Sequence, residues 1–244
     1  MPILSIKDVS LAIQGHTILQ RVSFDVAEGE VVGLIGPNGS GKTTLFNILS
    51  GFLKATAGSA IFKGEDMMKF SPAQRSLKGI GRVFQNFGIF REMTVTENVL
   101  VALEALPRGE RAELGDLHSA IRRTLRVAGL EGHAKKKAGS LSGGQMRLLE
   151  IARTLTCGKE LFLLDEPTAG VSPKMTQQVS QLIADLKKEG KTVLIIEHDL
   201  PFIRRICDRV IVLDVGQVVL TGTPEEVQKS KELREIYFGA DPTS

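Results

Sequence analysis

A glycine-rich segment early in the sequence has the residue types of a phosphate-binding loop. It consists of Gly36, Pro37, Asn38, Gly39, Ser40, Gly41, Lys42 and Thr43, and Thr44 follows it. The spacing matches G-x-x-x-x-G-K-[S/T], in which glycines allow backbone N–H groups to surround phosphates. Lys42 can reach the β- and γ-phosphates, and Thr43 can bind Mg²⁺. The segment predicts a nucleoside triphosphate site, because a chance glycine-rich turn would have no reason to lie between an apolar run and a helical pattern.

Two acidic residues, Asp165 and Glu166, follow an apolar run at 161–164. A buried strand that ends in a carboxylate can deliver Asp165 to a metal ion beside the phosphate-binding loop. Glu166 comes one residue later, where it could polarise an attacking water. Many buried strands end in an acid, so this pair indicates Mg²⁺ and hydrolysis only in combination with the loop.

A second glycine-rich turn comes before another helical pattern. It consists of Leu141, Ser142, Gly143, Gly144 and Gln145, and the helical pattern runs over 146–155. A hydroxyl and glycine N–H groups at a helix N-terminus can bind an anion. The chain already has one loop for phosphates, so a second such turn makes sense if it closes over a nucleotide held by a partner. Standing alone, the segment would be interpreted as a helix-capping loop.

Hydrophobic periodicity predicts a layered architecture around these motifs. Strands are predicted at 4–6, 17–19, 22–26, 31–35, 161–164, 192–196 and, as a hairpin turning at Gly216, at 210–213 and 217–220. Helices are predicted at 43–53, 146–155 and 175–188, and capping boxes begin at Ser71, Thr94 and Thr223. Strands that alternate with helices favour a largely parallel sheet covered by helices. The stretch 94–128 is predicted to be a helical lobe inserted into this α/β core.

The composition argues against several classes of protein. The 244 residues include 31 basic and 28 acidic side chains and no Trp, so the charge and aromatic content typical of a nucleic-acid binder is missing. Cys157 and Cys207 lack the spacing of a metal site or a disulfide framework. No apolar run approaches the roughly 20 residues of a membrane-spanning helix, so a membrane role is expected to need a partner chain.

The order of the three motifs resembles that of ABC-transporter ATPases, and the resemblance covers nearly the whole chain. It implies an α/β P-loop NTPase core with a mainly parallel sheet, an antiparallel β subdomain and an inserted α-helical subdomain. It also implies one ABC ATPase domain over 1–244, with the core at 1–86 and 156–244 and the helical subdomain at about 87–155. The expected activity is ATP hydrolysis with Mg²⁺ in a dimer with a second, identical or different, ABC ATPase subunit.

The resemblance also implies roles for individual residues. The turn formed by Ser142, Gly143, Gly144 and Gln145 is expected to contact the γ-phosphate bound by the other subunit. Gln85 resembles the lid glutamine near Mg²⁺ and the attacking water, and it joins Thr43 and Asp165 as a candidate metal ligand. His198 resembles the switch histidine that touches the γ-phosphate, and it joins Glu166 and Gln85 as a catalytic candidate. The segment 169–172 resembles the loop that connects the two active sites of the dimer.

One position departs from the family pattern. The family usually has an aromatic residue that stacks on adenine, and the matching position here is Ile13. An aliphatic side chain can cover the base but cannot stack on it as a ring does. Weaker base discrimination and weaker ATP affinity are therefore expected.

Three further segments, 88–99, 196–199 and 235–239, are similar to the ATPases of branched-chain amino acid importers. Urea-type importers and the lipopolysaccharide-export ATPase share much of this pattern, and the lobe at 98–140 is shorter than in many members. The resemblance implies transport through transmembrane permease subunits at the cytoplasmic face of the cell membrane, and substrate recognition by other chains. The cargo, the direction of transport and the identity of the partner ATPase stay open.

Two alternatives come from other functional classes. A soluble ABC ATPase of DNA repair or of the ribosome usually has long coiled-coil inserts or two linked cassettes, and this sequence has neither. A scaffold that binds nucleotide without hydrolysis would not need both Asp165 and Glu166. Transport is therefore the preferred interpretation.

Overall fold

The structure is a computed structural model that describes residues 2–84, 88–156 and 159–238. The strands in these ranges are β1 Pro2–Ile13, β2 His16–Ala27, β3 Val31–Ile35, β4 Ala57–Phe62, β5 Glu65–Asp66, β6 Ile80–Val83, β7 Leu161–Asp165, β8 Thr192–Ile196, β9 Arg209–Asp214 and β10 Gln217–Gly222. The helices are α1 Lys42–Leu49, α2 Pro72–Leu77, α3 Val95–Glu104, α4 Arg108–Glu113, α5 Leu117–Val127, α6 Gly143–Leu155, α7 Pro173–Lys188, α8 Leu200–Ile206, α9 Pro224–Lys229 and α10 Lys231–Phe238.

A six-stranded sheet has the order β10-β9-β3-β8-β7-β6 in the described chain, and all its neighbours are parallel except the β9–β10 hairpin. Every residue of β3, β7 and β8 is buried, which explains their unbroken apolar sequences. Parallel strands end at the same edge of a sheet. The loops that follow β3, β7 and β8 therefore meet, and these loops contain the phosphate-binding segment, Glu166 and His198. The predicted α/β fold with a mainly parallel sheet is confirmed.

A second, antiparallel sheet has the order β2-β1-β4-β5 among the described residues. Helix α1 connects the two sheets, because its buried Leu45, Phe46 and Ile48 share one hydrophobic cluster with Val22 of β2 and Leu163 of β7. The phosphate-binding loop at the start of α1 is thus supported from both sheets.

Helices α3, α5 and α6 pack against one another between β6 and β7 in the chain. Their buried Val99, Leu125 and Leu149 belong to a second hydrophobic cluster, which continues into Ile183 of α7 and Ile195 of β8. The lobe predicted at 94–128 is thus helical and anchored to the parallel sheet. Within the described ranges, no helix combines the length and the apolar composition needed to cross a membrane.

Some predicted elements were wrong in their bounds. The strands predicted at 17–19 and 22–26 form one strand, β2, in which Arg21 takes a positive φ of 50° at a break in the register with β1. The helix predicted at 43–53 ends at Leu49, because Gly51 has a left-handed φ of 84° and Arg75 donates to the carbonyls of Ile48 and Leu49. Strands β4, β5 and β6 were not predicted, since they are short or interrupted by glycine and charged residues.

Candidate active site

The phosphate-binding loop joins buried strand β3 to α1, as predicted. Helix α1 begins without a side-chain cap, and its N-cap Gly41 is left-handed, so the first N–H groups of the helix have no capping side chain to accept from them. Lys42 Nζ donates to the carbonyls of Gly36 and Pro37 at 2.8 Å each, with Ser40 Oγ at 3.4 Å. Burial lowers the pKa of Lys42, and the nearby carboxylates of Glu166 and Asp165 oppose that effect. The loop thus places an ammonium group and uncapped N–H donors together.

Two glycines of this loop are required by close packing. A Cβ atom on Gly36 would lie 2.0 Å from the carbonyl oxygen of Leu213, and one on Gly41 would lie 2.6 Å from the Leu19 side chain. Both residues also have positive φ angles, of 148° and 102°. The β9–β10 turn supports the loop further, because Gly216 N donates to Ser40 O at 3.0 Å.

Asp165 ends β7 and is 1% exposed. Its Oδ2 accepts from Arg82 Nη2 at 3.1 Å, whereas Oδ1 is buried and accepts no hydrogen bond in the described part of the chain. Burial raises the pKa of the Asp165 carboxyl, and the Arg82 guanidinium opposes that rise. An orphaned buried carboxylate oxygen suits a hard cation that takes oxygen ligands. The residues present therefore fit Mg²⁺, with the Thr43 hydroxyl on the same loop as Lys42.

Glu166 and His198 are in direct contact. His198 Nε2 lies 3.0 Å from Glu166 Oε1, and both side chains are partly exposed to the same cleft. Glu166 also has a φ of 47°, a left-handed value that is uncommon for a residue with a side chain. The structure thus brings together the four predicted groups Lys42, Asp165, Glu166 and His198.

The Ser142 turn begins α6 with a reciprocal capping box. Ser142 Oγ accepts from Gln145 N at 3.3 Å, and Gln145 Oε1 accepts from Ser142 N at 3.0 Å. A Cβ atom on Gly144 would lie 2.8 Å from Met175, so glycine allows close contact with α7. Among the described residues, no hydrogen bond or ion pair joins this turn to the phosphate-binding loop of the same chain. Ser142 itself is exposed.

Gln85 lies outside the described residues, but both flanks of its segment are held by α6. Glu150 Oε1 accepts from Phe84 N at 3.2 Å and from Gly88 N at 3.1 Å. Arg147 pairs with Glu150 at 2.9 Å and also donates to the Phe84 carbonyl. Helix α6 therefore holds Phe84 and Gly88, the described residues on either side of 85–87.

Sequence reasoning missed Arg82, Arg147 and Glu150. Arg82 pairs with an acid 83 positions away. Arg147 and Glu150 pair with each other three residues apart, which in sequence looks like an ordinary surface pair on a helix, and their further partners are distant backbone groups. Ile13, the residue predicted to cover adenine, ends β1 with 47% of its surface exposed. An exposed apolar side chain at this strand end is compatible with contact to a base.

The chain matches a family model described as ABC transporter over residues 19–169, a range that contains all three motifs. It is 38% identical, over 98% of both chains, to the high-affinity branched-chain amino acid transport ATP-binding protein LivG of Salmonella typhimurium. It is 37% identical to BraF of Pseudomonas aeruginosa, which has the same described role, again over 98% of each chain. It is 33% identical, over 98% of both chains, to the lipopolysaccharide export system ATP-binding protein LptB of Haemophilus influenzae.

Solved structures of ATP-binding cassettes have the same fold. The ADP conformation of MJ1267, an ATP-binding cassette of an ABC transporter, gives a TM-score of 0.87 at 34% identity, covering 98% of this chain and 100% of that one. The dimeric post-hydrolysis state of the cassette MJ0796, bound to ADP and Pi, gives 0.78 at 30% identity, covering 91% and 98%.

Proposed function

The chain belongs to the ABC transporter family of ATP-binding proteins, and from this we propose that it powers an importer of branched-chain amino acids or a related small solute. The contact between Glu166 and His198 beside the Lys42 loop is the observation that carries hydrolysis. The similarity to LivG and BraF over nearly the full length supports the class of cargo.

In the proposed reaction, Lys42 exchanges the carbonyls of Gly36 and Pro37 for the β- and γ-phosphates of ATP. Thr43 and Asp165, together with Gln85, would hold Mg²⁺, which supplies positive charge to the phosphate oxygens. Asp165 is suited to this role because Arg82 occupies only one of its oxygens. Backbone N–H groups of Gly39 and Gly41, and those of Thr43 and Thr44 at the uncapped start of α1, complete the phosphate site.

Glu166 would accept a hydrogen bond from the attacking water, and His198 would contact the γ-phosphate and hold it in place. The imidazole is placed for this by its contact with Glu166 Oε1. A carboxylate held near a histidine can orient water and take up proton density as the O–P bond forms. Both groups face the same cleft, which gives the substrate access.

We propose that two cassettes pair head to tail, so that the Ser142 turn of one covers the nucleotide of the other. The exposure of Ser142 and its lack of a bond to the loop of its own chain support this arrangement, as does the dimeric state of MJ0796. Closure would follow from the differential affinity of ATP for the closed dimer.

The membrane partners would be permease subunits that contact the helical subdomain, proposed at about 87–155, at the cytoplasmic face of the membrane. The segment 87–98 would transmit closure, and its described part includes Phe90, which is 47% exposed. Arg153 of α6 lies over the Phe90 ring at 5.6 Å. A rigid connection between the permease contact and α6, the helix that follows Ser142, would couple closure of the dimer to motion of the permease.

Reconstitution tests the proposed cargo. Co-expression with neighbouring permease and periplasmic binding-protein genes should give a complex that accumulates leucine in proteoliposomes when ATP is on the cassette side. The Lys42→Ala variant should assemble but not transport, because the loop loses its only ammonium group. ATPase activity stimulated by lipopolysaccharide, with no response to leucine, isoleucine or valine, would instead favour the export role of LptB.

Replacing Ile13 with Tyr tests the adenine contact. We expect about a threefold to tenfold tighter binding of a fluorescent ATP analogue, because ring stacking on a base contributes roughly 1 kcal/mol or more. Ile13→Val is the matched control, since it shortens the side chain without adding a ring. Equal affinity of the parent and the Ile13→Tyr variant would show that this strand end does not contact the base.

A further inference from the structure

Glu197 is a buried carboxylate that the proposed reaction does not use. It is 4% exposed and follows the last residue of β8. Strands β7 and β8 are parallel neighbours, with Asp165 opposite Ile196. Glu197 therefore lies beside Glu166, each being the first residue beyond its strand.

Both oxygens of Glu197 bind groups from the two loops at this edge. Oε1 accepts from Thr168 N at 2.9 Å and also from the Thr168 hydroxyl. Oε2 accepts from His198 N at 3.0 Å. A single carboxylate thus ties the loop that follows Glu166 to the backbone of His198.

Two further hydrogen bonds connect the catalytic candidates Glu166 and His198 at the ends of β7 and β8. His198 Nε2 meets Glu166 Oε1 at 3.0 Å, and Glu166 N donates to Ile196 O at 3.0 Å. Glu166 has the left-handed φ of 47°, a conformation that persists only where the surroundings enforce it. Glu197 supplies that restraint by holding Thr168, which is two residues after Glu166, and it directly precedes His198 in the chain.

Glu197 and Glu166 differ in exposure and in hydrogen bonding, and this indicates different roles for the two carboxylates. Glu197 borders the same cleft but is only 4% exposed, and its oxygens already accept from three donors, whereas the Glu166 side chain is 21% exposed there. Glu166 is therefore the carboxylate placed to meet an attacking water. We propose that Glu197 is a positioning residue that fixes Glu166 and His198 relative to each other for hydrolysis. The inference rests on the roles proposed above for those two residues.

The Glu197→Gln variant tests this. An amide has one accepting oxygen, and its NH₂ group must face a backbone N–H, either that of His198 or that of Thr168. The Thr168 hydroxyl can turn to accept from the amide, but one of the two backbone donors loses its acceptor in either orientation, while the size of the side chain is retained. We expect kcat for ATP to fall about tenfold or more, since a hydrogen bond to a charged group is lost, while KM stays within about twofold.

Glu30→Gln is the matched control. Glu30 accepts from Ala27 N at 2.8 Å and pairs with Arg209 at 2.7 Å, before the start of β3 and at the opposite end of that strand from the site. The same substitution there should lower the free energy of unfolding and leave kcat at the parent value. Comparing the two variants separates positioning from general stability.

Three results would overturn the inference: a parental kcat in Glu197→Gln, an equal loss of kcat in Glu30→Gln, or a fall in ATP affinity that accounts for the whole effect. Should Glu197→Gln fail to fold, Glu197→Asp keeps the charge but draws the carboxylate back by one methylene from the Thr168 donors, and a parental kcat there would overturn it equally. The Glu166→Gln variant is assayed in parallel. If that variant is active, the proposed reaction fails; if it is inactive beside a fully active Glu197→Gln, only the positioning role fails.

Discussion

Replacing Glu166 with Gln is expected to lower ATP turnover by about 10²–10⁴-fold, the usual contribution of a general base. The amide has nearly the same shape as the carboxylate and can still form a hydrogen bond with His198 Nε2, but it cannot take up a proton. Lys42, Asp165 and the loop backbone are unchanged, so ATP affinity should stay close to that of the parent. Single-turnover hydrolysis and equilibrium nucleotide binding measure the two quantities separately.

The same variant should accumulate as a dimer in the presence of ATP and Mg²⁺. Without hydrolysis, two nucleotides would stay between the loop of one cassette and the Ser142 turn of the other. Size-exclusion chromatography with light scattering gives the mass directly. Glu189→Gln, an exposed position at the end of α7, is the control and should turn over normally as a monomer after hydrolysis. A strictly monomeric Glu166→Gln variant loaded with ATP would contradict the shared site.

The sequence was informative where function depends on local pattern. The loop at 36–43 has its chemistry in consecutive residues, and the fully buried β3, β7 and β8 appear as apolar runs. Capping boxes at Ser71, Thr94 and Thr223 are all present, since each needs only residues three apart. The sheet order then brings Lys42, Asp165 and His198 to one edge, as parallel connectivity requires.

The supporting contacts could not be predicted in the same way. Arg82 meets Asp165 across 83 positions of sequence, and Glu197 meets Thr168 across 29. Such pairs depend on which strands are neighbours in the sheet, and a single sequence contains no periodic signal for that. Arg147 resembles any exposed basic residue on an amphipathic helix, yet it is 1% exposed.

Arg147→Met is expected to cost about 3–5 kcal/mol in the free energy of unfolding of the nucleotide-free protein, the usual effect of removing one partner of a buried pair. Met fills similar apolar space, but Glu150, also 1% exposed, would be left as a buried carboxylate without its cation. For a chain of this size, each kcal/mol corresponds to about 2–4 °C in Tm. Urea and thermal unfolding without nucleotide measure both quantities.

The pH dependence identifies the cause of that loss. Burial already raises the pKa of Glu150, and Arg147 opposes that rise. Without Arg147, the pKa in the folded state lies further above its unfolded value, so the folded state favours the protonated carboxyl. The stability deficit of the variant should therefore be smallest near the unfolded pKa of about 4.5 and grow as pH rises through the folded pKa.

The double variant Arg147→Met with Glu150→Gln separates charge from packing. The Gln oxygen can still accept from Phe84 N and Gly88 N, but position 150 no longer carries a buried charge. Most of the lost stability should return at pH 8, and the remaining deficit should not depend on pH. A deficit in Arg147→Met that stays constant between pH 5 and pH 8 would instead assign the loss to packing. In that case the ion pair would not be what holds the flanks of the Gln85 segment to α6.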